Sequence, residues 1–555
     1  MILTPLATGF PRFANQDWDA IAKRDGAAAA WAKMAEHGDL PKLLAQVGGD
    51  FAVGLRDSLG RTWLAVDRFA QRTLCYRVDG DELRFAERAD ALAGGDERIS
   101  AQAVFDYLYF HNIPSPGTIY QQVHRLPPGH YALFDQGKLT VAPYWTPAFT
   151  EPRGASFDAL RDEFRELLKR AVQQQLDGSK PACFLSGGTD SSTVAGMMSE
   201  LGVGQVSGYS IGFDAQGYDE MEYARLAARR FGTSHHEYYV TPADLLRSIP
   251  AVAQHFDQPF GNSSALPAYY CAKMAREDGV TRLLAGDGGD ELFGGNSRYA
   301  KQRVFGLYEH VPALVRKGLM EPLLGTGAAS ALALTRKAKS YVEQARMPMP
   351  DRLQLYNLIM RLGPSEVLDD GFLRHVDLQA PLRLQQQVWQ QAGQCHALNR
   401  ELAYDWRFTL AESDLPKVNG ATSMAGVSVG FPLLDQGLLD FSLRLPLDYK
   451  LRGHQLRWFF KEALRGFLPD EIISKKKHGF GLPFGVWTTR TPALLALARD
   501  SLHGLAGRGV LRSDFVKPLL EQRLHEHPGY YGEMVWILMM LEQWLQAKAP
   551  HCRFN

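Results

Sequence analysis

The sequence lacks the cysteine patterns that mark disulfide scaffolds and structural zinc sites. Its five cysteines lie far apart, with no CxxC pair and no local cysteine–histidine cluster. This spacing argues against both classes and is typical of a reducing compartment. The first residues have neither a basic stretch nor the apolar core of a secretory signal. We therefore expect a cytoplasmic protein.

Long apolar runs and an excess of one charge are also missing. A membrane-spanning helix needs roughly 20 apolar residues, whereas the best candidate, residues 534–541, is shorter and typical of a buried helix. Lysine plus arginine and aspartate plus glutamate number 61 each, for a formal net charge of zero. Bulk charge thus gives no reason to expect binding to nucleic acid or to an anionic membrane.

The 555 residues have room for two or three domains. Up to about residue 145 the pattern is one of short strands separated by turns, with strands predicted at 51–56, 62–66, 74–78, 83–85, 130–134 and 139–142. The polar segment 146–156 contains proline and glycine and is typical of a linker. We place the domains at residues 1–148 and 155–555.

Beyond the linker, predicted strands alternate with predicted helices. Helices are expected at 157–176, 191–201, 220–231 and 265–277, and strands at 181–185, 206–213, 237–240 and 281–285. This alternation predicts an α/β domain with a parallel, doubly wound sheet. From about residue 307 the sequence is mostly helical, which predicts a helical C-terminal extension.

The motif that carries most chemical information is ACFLSGGTDSSTVAG, residues 182–196. A predicted strand leads into a glycine turn and then into a helix, so backbone N–H groups and hydroxyls would converge where a helix favours an anion. The carboxylate of Asp190 then implies a cation between it and the phosphates, which points to Mg²⁺. The candidate phosphate-binding residues are Ser186, Gly187, Gly188, Asp190, Ser191 and Ser192.

This motif resembles that of the PP-loop ATP pyrophosphatases, and further segments narrow the resemblance to the asparagine synthetase family. SIGFDAQGYDE, residues 210–220, is similar to the segment that borders the adenine in relatives, which implies ATP contact at Ile211. AGDGGDELFGG, residues 285–295, is similar to the family's acidic loop, in which Asp290 would share Mg²⁺ with Asp190. SKKKHGFGLPFGVW, residues 474–487, resembles the lysine loop, and Lys477 matches its catalytic lysine.

The resemblance extends to an N-terminal glutaminase-like domain of the Ntn-hydrolase type, but one feature is missing. GGDFAVGLRD (residues 48–57) and AVDRFAQRTLCYR (residues 65–77) resemble its middle and end. Relatives that take ammonia from glutamine need a cysteine at the mature N-terminus, and the earliest cysteine here is Cys75. We therefore expect a degenerate domain without glutaminase activity, in which Cys75 is a core thiol.

A second departure concerns the amine. The tail FPLLD, residues 431–435, fits the family, but the usual glutamate and arginine positions before it hold Ser428 and Gly430. In relatives that glutamate helps to orient or deprotonate the amine. Two alternatives stay open: the substrate differs, or another group activates the amine. The candidates for the second are Tyr404, Asp405, Glu412 and Asp414.

The resemblance implies an AMP-forming carboxylate–amine ligase that uses ATP and Mg²⁺. Without a glutaminase, the protein looks like β-lactam synthetases and lasso-peptide cyclases, with a small-molecule or peptide carboxylate and an amine as substrates. Partner enzymes of the same pathway are a further expectation. Two alternatives are an ammonia-dependent asparagine synthetase acting on aspartate and a non-catalytic ATP-binding partner in a biosynthetic complex.

Overall fold

The computed structural model describes residues 5–37, 39–94, 98–150, 154, 156–309, 312, 333–355, 357–475 and 481–554. Strands in chain order are β1 Leu6–Gly9, β2 Arg12–Phe13, β3 Val47–Gly48, β4 Phe51–Arg56, β5 Thr62–Val66, β6 Cys75–Asp79, β7 Glu82–Ala86, β8 His124–Arg125, β9 His130–Asp135, β10 Lys138–Pro143, β11 Ala182–Phe184, β12 Ser207–Phe213, β13 Ser234–Val240, β14 Arg282–Leu284, β15 Ser428–Gly430, β16 Leu451–Arg452 and β17 Gln455–Leu456.

Helices occupy both parts of the chain. The α-helices are Gln16–Asp25, Ala27–Ala35, Leu40–Leu44, Ala101–Phe110, Phe157–Gln175, Thr189–Glu200, Met221–Phe231, Pro242–His255, Ala265–Glu277, Gly289–Phe293, Ser297–Glu309, Ala333–Arg346, Leu358–Leu362, Pro364–Val367, Asp370–Leu373, Ala380–Gln391, Ala397–Asp405, Leu415–Met424, Gln436–Arg444, Leu447–Lys450, Trp458–Ala463, Asp470–Ser474, Phe484–Thr488, Pro492–Gly507, Ser513–Pro518, Leu524–Glu526 and Pro528–Lys548. Two π-helical segments are Trp406–Asp414 and Leu519–Arg523.

The N-terminal part is built on an antiparallel five-stranded sheet with the order β1-β4-β5-β9-β10, beside a three-stranded sheet β7-β6-β8. The predicted strands are present, but the sequence pattern missed the three helices between residues 16 and 44. Trp31 and Met34 of those helices pack with Phe51 and Val53 of β4, so one face of the sheet is covered. The central strands β4 and β5 therefore lie in a core, whereas the outer strand β10 is largely exposed.

The second sheet is parallel throughout, with the order β13-β12-β11-β14-β15. Alternate side chains of β11 enter two different cores: Ala182 packs with the helix Ala265–Glu277, and Cys183 packs with the helix Thr189–Glu200. Helices thus cover both faces, and the predicted α/β class with its doubly wound sheet is confirmed. The outer strand β15 was not predicted.

Adjacent strands of this sheet end beside each other. β11 leads into the turn at Ser186, and its neighbour β14 leads into the acidic loop at Asp287. In open parallel sheets ligands bind outside the carboxyl ends of the strands. The topology therefore brings two motifs, about a hundred residues apart in sequence, to one edge of the sheet.

A cluster of aromatic rings holds the elements around this edge. Phe164 packs with Phe293 at 5.2 Å and with Phe460 at 5.3 Å between ring centroids, and Phe293 lies 5.3 Å from Phe460. Phe293 follows the acidic loop, and Phe460 follows Arg457. The cluster therefore fixes Arg457 close to Asp290.

One long helical element connects the two parts of the molecule. It runs from Ala397 to Met424 and contains the nine-residue π-helical segment Trp406–Asp414. The ring of Trp406 lies 6.0 Å from the ring of Phe69 in the N-terminal part. π-helical turns are rare and frequently occur at functional sites, which directs attention to this segment.

The apolar stretch 534–541 is buried in the last helix, Pro528–Lys548, as expected. Within the described part of the chain, every helix is too short or too polar to span a lipid bilayer.

Candidate active site

A cavity of about 1290 Å³ opens at the carboxyl edge of the parallel sheet. Of the predicted site residues, it is lined by Ser186, Gly188, Asp190, Ser191, Ile211 and Asp290. Gly187 and Ser192 do not line it, and Ser192 is fully buried with no hydrogen-bond partner for its hydroxyl. Lys477 lies outside the described residues.

The turn that begins at Ser186 is shaped by its own hydroxyls. The Ser186 N–H donates to Ser191 Oγ at 3.1 Å, and the Gly188 N–H donates to Ser186 Oγ at 3.3 Å. Gly187 has φ +69°, and a Cβ there would lie 2.3 Å from the backbone nitrogen of Ala224. Only glycine fits this position without a backbone shift.

Asp190 and Asp290 converge on one cationic group. Arg457 Nη1 lies 2.8 Å from Asp190 Oδ2 and 2.7 Å from Asp290 Oδ1, and Arg457 Nη2 also donates to Asp190. Burial alone would lower the pKa of Arg457, but the two carboxylates raise it above its ordinary value. The structure thus brings Asp190 and Asp290 together with a guanidinium between them, and their role as metal ligands stays a prediction.

This arrangement fits a divalent cation. One cationic atom lies within 2.8 Å of both carboxylates, so a single ion could contact both. Mg²⁺ is usually held by one or two carboxylates together with substrate phosphates. The donor set is therefore suited to Mg²⁺, provided that the Arg457 side chain moves aside.

A second charged group, centred on Lys417, forms another part of the cavity wall. Lys417 Nζ lies 3.0 Å from Asp414 Oδ1 and 3.5 Å from Asp287 Oδ1. Burial raises the pKa of Asp287 above its ordinary value, and the two carboxylates keep the pKa of Lys417 raised in spite of its burial. Two carboxylates around one ammonium leave a net charge of about −1 on this wall.

Only one of the four candidates for activating an amine reaches the cavity. Asp414 lines it. Tyr404 is buried and accepts a hydrogen bond from Gln354, Asp405 pairs with Arg298, and Glu412 pairs with arginines at the domain interface. These last three side chains are used in structural contacts.

The two departures near residue 430 lie at different ends of β15: Gly430 pairs with Leu284 next to the acidic loop, although it does not line the cavity, and Ser428 lies at the other end. Ser428 is exposed at the start of β15, where its hydroxyl donates to the Thr281 carbonyl at 3.1 Å. Because β15 runs parallel to β14, Ser428 is at the sheet edge opposite to the acidic loop. A Cβ at Gly430 would lie 2.8 Å from Arg282 Nη2, so the Arg282 side chain occupies the adjacent space.

Among the basic residues that line the cavity, Arg457, Lys461 and Lys417 were missed in the sequence. No spacing rule marks them, since they come from a hairpin end, a helix and the element after the π-helical segment. Lys475 also lines the cavity, with its Nζ 3.0 Å from Glu220 Oε2. Lys475 belongs to the lysine loop that the sequence did single out.

Cys75 occupies a core position in the N-terminal domain. Its side chain is fully buried and packs with the cluster that contains Val123 and Ile119. Burial raises the pKa of its thiol well above the ordinary value. A thiol in this state is not a nucleophile, because the thiolate is the reactive form.

Comparison with known proteins divides the chain in two. Residues 163–546 match the family described as asparagine synthase, and residues 29–145 match the glutamine amidotransferase domain. The chain is 24% identical to "Asparagine synthetase [glutamine-hydrolyzing] 1" of Bacillus subtilis, over 86% of this chain and 74% of that protein.

Two further relatives are similar to 80% of this chain. A "Putative asparagine synthetase [glutamine-hydrolyzing]" of Mycobacterium tuberculosis is 23% identical, over 80% of this chain and 69% of that protein. "Amidase chyE" of Penicillium rubens is 24% identical, over 80% and 71% respectively. A solved glutamine phosphoribosylpyrophosphate amidotransferase of B. subtilis covers 51% of this chain and 60% of its own, at 11% identity and a TM-score of 0.18, which is too low to bear on the fold.

Proposed function

The chain belongs to the asparagine synthase family, and we propose that it joins a carboxylate to an amine without hydrolysing glutamine. As a member, it is an ATP-dependent carbon–nitrogen ligase that forms an amide, with AMP and pyrophosphate as products. The proposal adds three finer points: adenylation of the carboxylate with Mg²⁺, an amine that does not come from glutamine, and a product of the β-lactam or lasso-peptide type.

The observation that carries the proposal is the placement of two charged groups in one cavity. Asp190 and Asp290 flank Arg457 beside the glycine turn, and Asp287 and Asp414 flank Lys417. Each group has two carboxylates around one cationic side chain, so the first is suited to a cation that binds phosphates and the second to an ammonium or amine. The substrate carboxylate would lie between them and attack the α-phosphorus of ATP.

The nucleotide side uses the turn and the acid pair. Backbone N–H groups from Gly188 onward would bind phosphate oxygens, and Ile211 would border the adenine. Asp190 and Asp290 would hold Mg²⁺, which offsets phosphate charge as pyrophosphate leaves. Lys461 contributes a further positive charge in the cavity, and Lys477 keeps its expected catalytic role as a prediction.

The amine side uses the carboxylates around Lys417. A net negative wall attracts an ammonium or a protonated substrate amine. Asp287, whose pKa is raised by burial, is suited to accept the proton that the amine must lose before or during attack. Lys417 would hold both carboxylates in place. This assignment replaces the missing family glutamate at Ser428 with groups of the acidic loop and the π-helical segment.

Independence from glutamine is supported by the state of Cys75. It is the only cysteine in the first 182 residues of the chain, and its thiol is buried with a raised pKa. The N-terminal domain would therefore supply contacts and no ammonia. An amine within the substrate, as in β-lactam synthetases and lasso-peptide cyclases, would make an external source unnecessary.

A second candidate is an asparagine synthetase that uses free ammonia and aspartate. Two relatives are named asparagine synthetases, which supports asparagine as the product, but both names specify glutamine as the nitrogen source. This candidate predicts asparagine from aspartate, ATP and ammonium. The first proposal predicts no asparagine under these conditions.

The test is exchange of labelled pyrophosphate into ATP, with a panel of amino acids, β-amino acids and peptide carboxylates. We expect exchange with a subset of the panel, and its loss in Asp190→Ala. The matched control is Asp500→Asn, an exposed carboxylate on the helix Pro492–Gly507, which should exchange like the wild type. Retained exchange in Asp190→Ala, or glutamine-dependent amide formation by the wild type, would contradict the proposal.

A further inference from the structure

A buried ion-pair network joins the two domains at Glu412. The side chain of Glu412 is only 3% exposed. Its Oε2 accepts a hydrogen bond from Arg125 Nη2 at 2.6 Å, and its Oε1 accepts from Ser115 Oγ at 2.7 Å and from the Ser115 N–H at 3.1 Å. Arg407 completes the network with a hydrogen bond to Oε1. Arg125 and Ser115 belong to the N-terminal domain, and Glu412 and Arg407 belong to the synthetase domain.

The same network organises the N-terminal loop between residues 112 and 125. Arg125 Nη2 also donates to the Ile113 carbonyl at 2.6 Å, and Arg407 Nη2 donates to the Ser115 carbonyl. Each arginine therefore ties Glu412 to backbone of this loop. A buried carboxylate of this kind needs its partners, because an uncompensated buried charge is strongly unfavourable.

Glu412 and Asp414 lie in one π-helical segment, Trp406–Asp414, and face different regions. Two residues correspond to about half a helical turn, so their side chains point to opposite sides. Glu412 contacts the N-terminal domain, and Asp414 contacts Lys417 in the cavity wall. One side of the segment is thus anchored and the other is part of the site.

The π-helical register itself requires an anchor. π-helices are rare because α-helical hydrogen bonding is preferred. A shift of one residue in helical register rotates the following side chains by about 100°. Such a rotation would turn Lys417 away from Asp287, which lies on a separate loop.

We propose that Glu412, held by Arg125 and Arg407, is a positioning residue for the amine-side wall of the cavity. The N-terminal domain holds the π-helical segment in the register that brings Asp414 and Lys417 to the cavity. This gives the domain a function in the synthetase reaction that requires no thiol. The inference rests on the proposed function, because this part of the cavity wall binds an amine only under that proposal. The effect of Glu412 on the π-helical segment can be tested without any substrate.

The test is hydrogen–deuterium exchange of the full-length chain, followed by mass spectrometry of peptides that cover residues 406–418. We expect exchange in this segment to rise at least tenfold in Glu412→Gln and Arg125→Gln, and to return close to the wild-type rate in Arg125→Lys. The matched control is Arg12→Gln, which removes a different interdomain ion pair, with Asp435, and should leave the segment unchanged.

An unchanged segment in Glu412→Gln would overturn the proposal, as would a rise of equal size in the helix Pro492–Gly507, which packs against the last helix, Pro528–Lys548. If Glu412→Gln does not fold, Ser115→Ala removes one hydroxyl bond alone and should raise exchange in the segment about two- to fivefold. No rise in that variant would also overturn it. Protection of the turn at Ser186 by MgATP should persist in each folded variant.

A kinetic readout distinguishes positioning from general damage. With ammonium as the amine probe and a carboxylate that supports pyrophosphate exchange, we expect the KM for ammonium in Arg125→Gln to rise at least tenfold. The exchange rate should change less than twofold. Equal losses in both measurements would contradict the positioning role. If the wild type shows no pyrophosphate exchange, the proposed function is contradicted. The hydrogen–deuterium exchange result would still decide whether Glu412 holds the π-helical segment in its register.

Discussion

The N-terminal domain and the synthetase domain use their charged residues differently. In the N-terminal domain, the Asp67 carboxylate accepts backbone hydrogen bonds from Phe69 at 3.0 Å and Gln71 at 3.1 Å, and Arg68 donates to the Val47 carbonyl at 2.7 Å. The hydrogen bonds of these two side chains are made with backbone groups of the same domain. In the synthetase domain, Asp190 and Asp290 line a cavity and share the guanidinium of Arg457 instead. The charged residues of a family's sequence pattern can thus stabilise backbone in one domain and line a cavity in the other.

The strongest test of this contrast is to remove one carboxylate on the cavity side. Asp190→Asn should lower the rate of pyrophosphate exchange about 10³-fold, since it removes charge that would hold the cation at the phosphates. Global stability should also fall, by about 1–3 kcal/mol, because Arg457, only 4% exposed, loses one of its two carboxylate partners. Thermal melting of the variant provides the control, and an exchange rate within tenfold of the wild type would show that this carboxylate is not needed.

Glycine-to-alanine substitutions compare a backbone turn at the cavity with a turn in the N-terminal domain. Gly187→Ala should reduce the free energy of unfolding by about 3 kcal/mol, because of both a left-handed φ and a backbone clash. MgATP should no longer raise the melting temperature of this variant. Gly80→Ala, in the β6–β7 turn of the N-terminal domain, also has a positive φ but nothing within 4 Å. It should cost only about 1 kcal/mol and leave the MgATP shift intact.

The helical element shared by the two regions contains two buried glutamates with opposite pKa shifts. Burial, and then the charge of Asp405, raises the pKa of Glu401 to about 8. Although burial acts in the other direction, Arg407 and Arg125 hold the pKa of Glu412 below its ordinary value. Glu401 therefore keeps a proton in the folded state that it loses on unfolding at pH 7, whereas Glu412 is ionised in both states.

The sign of the pH dependence follows from these shifts. The stability that comes from protonated Glu401 is complete below about pH 4 and is lost as the pH rises towards 8. Relative to the wild type, Glu401→Gln should therefore gain about 2 kcal/mol between pH 6 and pH 8. The difference between Glu412→Gln and the wild type should stay constant over that range. Urea denaturation at pH 6, 7 and 8 measures both, and a constant difference for Glu401→Gln would contradict the prediction.

The smallest effect is expected at the thiol of the N-terminal domain. Cys75→Ala should change ammonium-dependent amide formation less than twofold, because the thiol is buried and remote from the cavity. In the wild type, iodoacetamide should modify the partly exposed Cys395 at least tenfold faster than Cys75. Faster labelling of Cys75, or an effect of its removal on glutamine consumption, would give the N-terminal domain a chemical role.

Local patterns predicted the elements that depend on neighbouring residues. The strands β4, β5 and β12 were predicted within one residue of their observed bounds, because alternating or continuous apolar runs between turns are a local signal. The glycine turn at Ser186 was predicted for a similar reason. The helices between residues 16 and 44 were missed although local signals were present: Asn15 caps the first helix, and the second is rich in alanine, the strongest helix former.

Other features had no local signal. β15 has only three residues, and its partner β14 precedes it by more than 140 residues. The π-helical register of Trp406–Asp414 depends on the contacts of Glu412 with another domain. The same holds for Lys417, which reads as an ordinary helical lysine until Asp287 is placed 3.5 Å from it.

The sequence alone determined the family resemblance, the α/β class and the nucleotide turn, because each is encoded in residues close together along the chain. Tertiary structure decided which charges share the cavity: Arg457 between two aspartates, and Lys417 between two more. It also decided that Ser428 lies at the far edge of the sheet. Electrostatic interaction depends on distance through space, and folding brings together charges whose separation along the chain contains no such information.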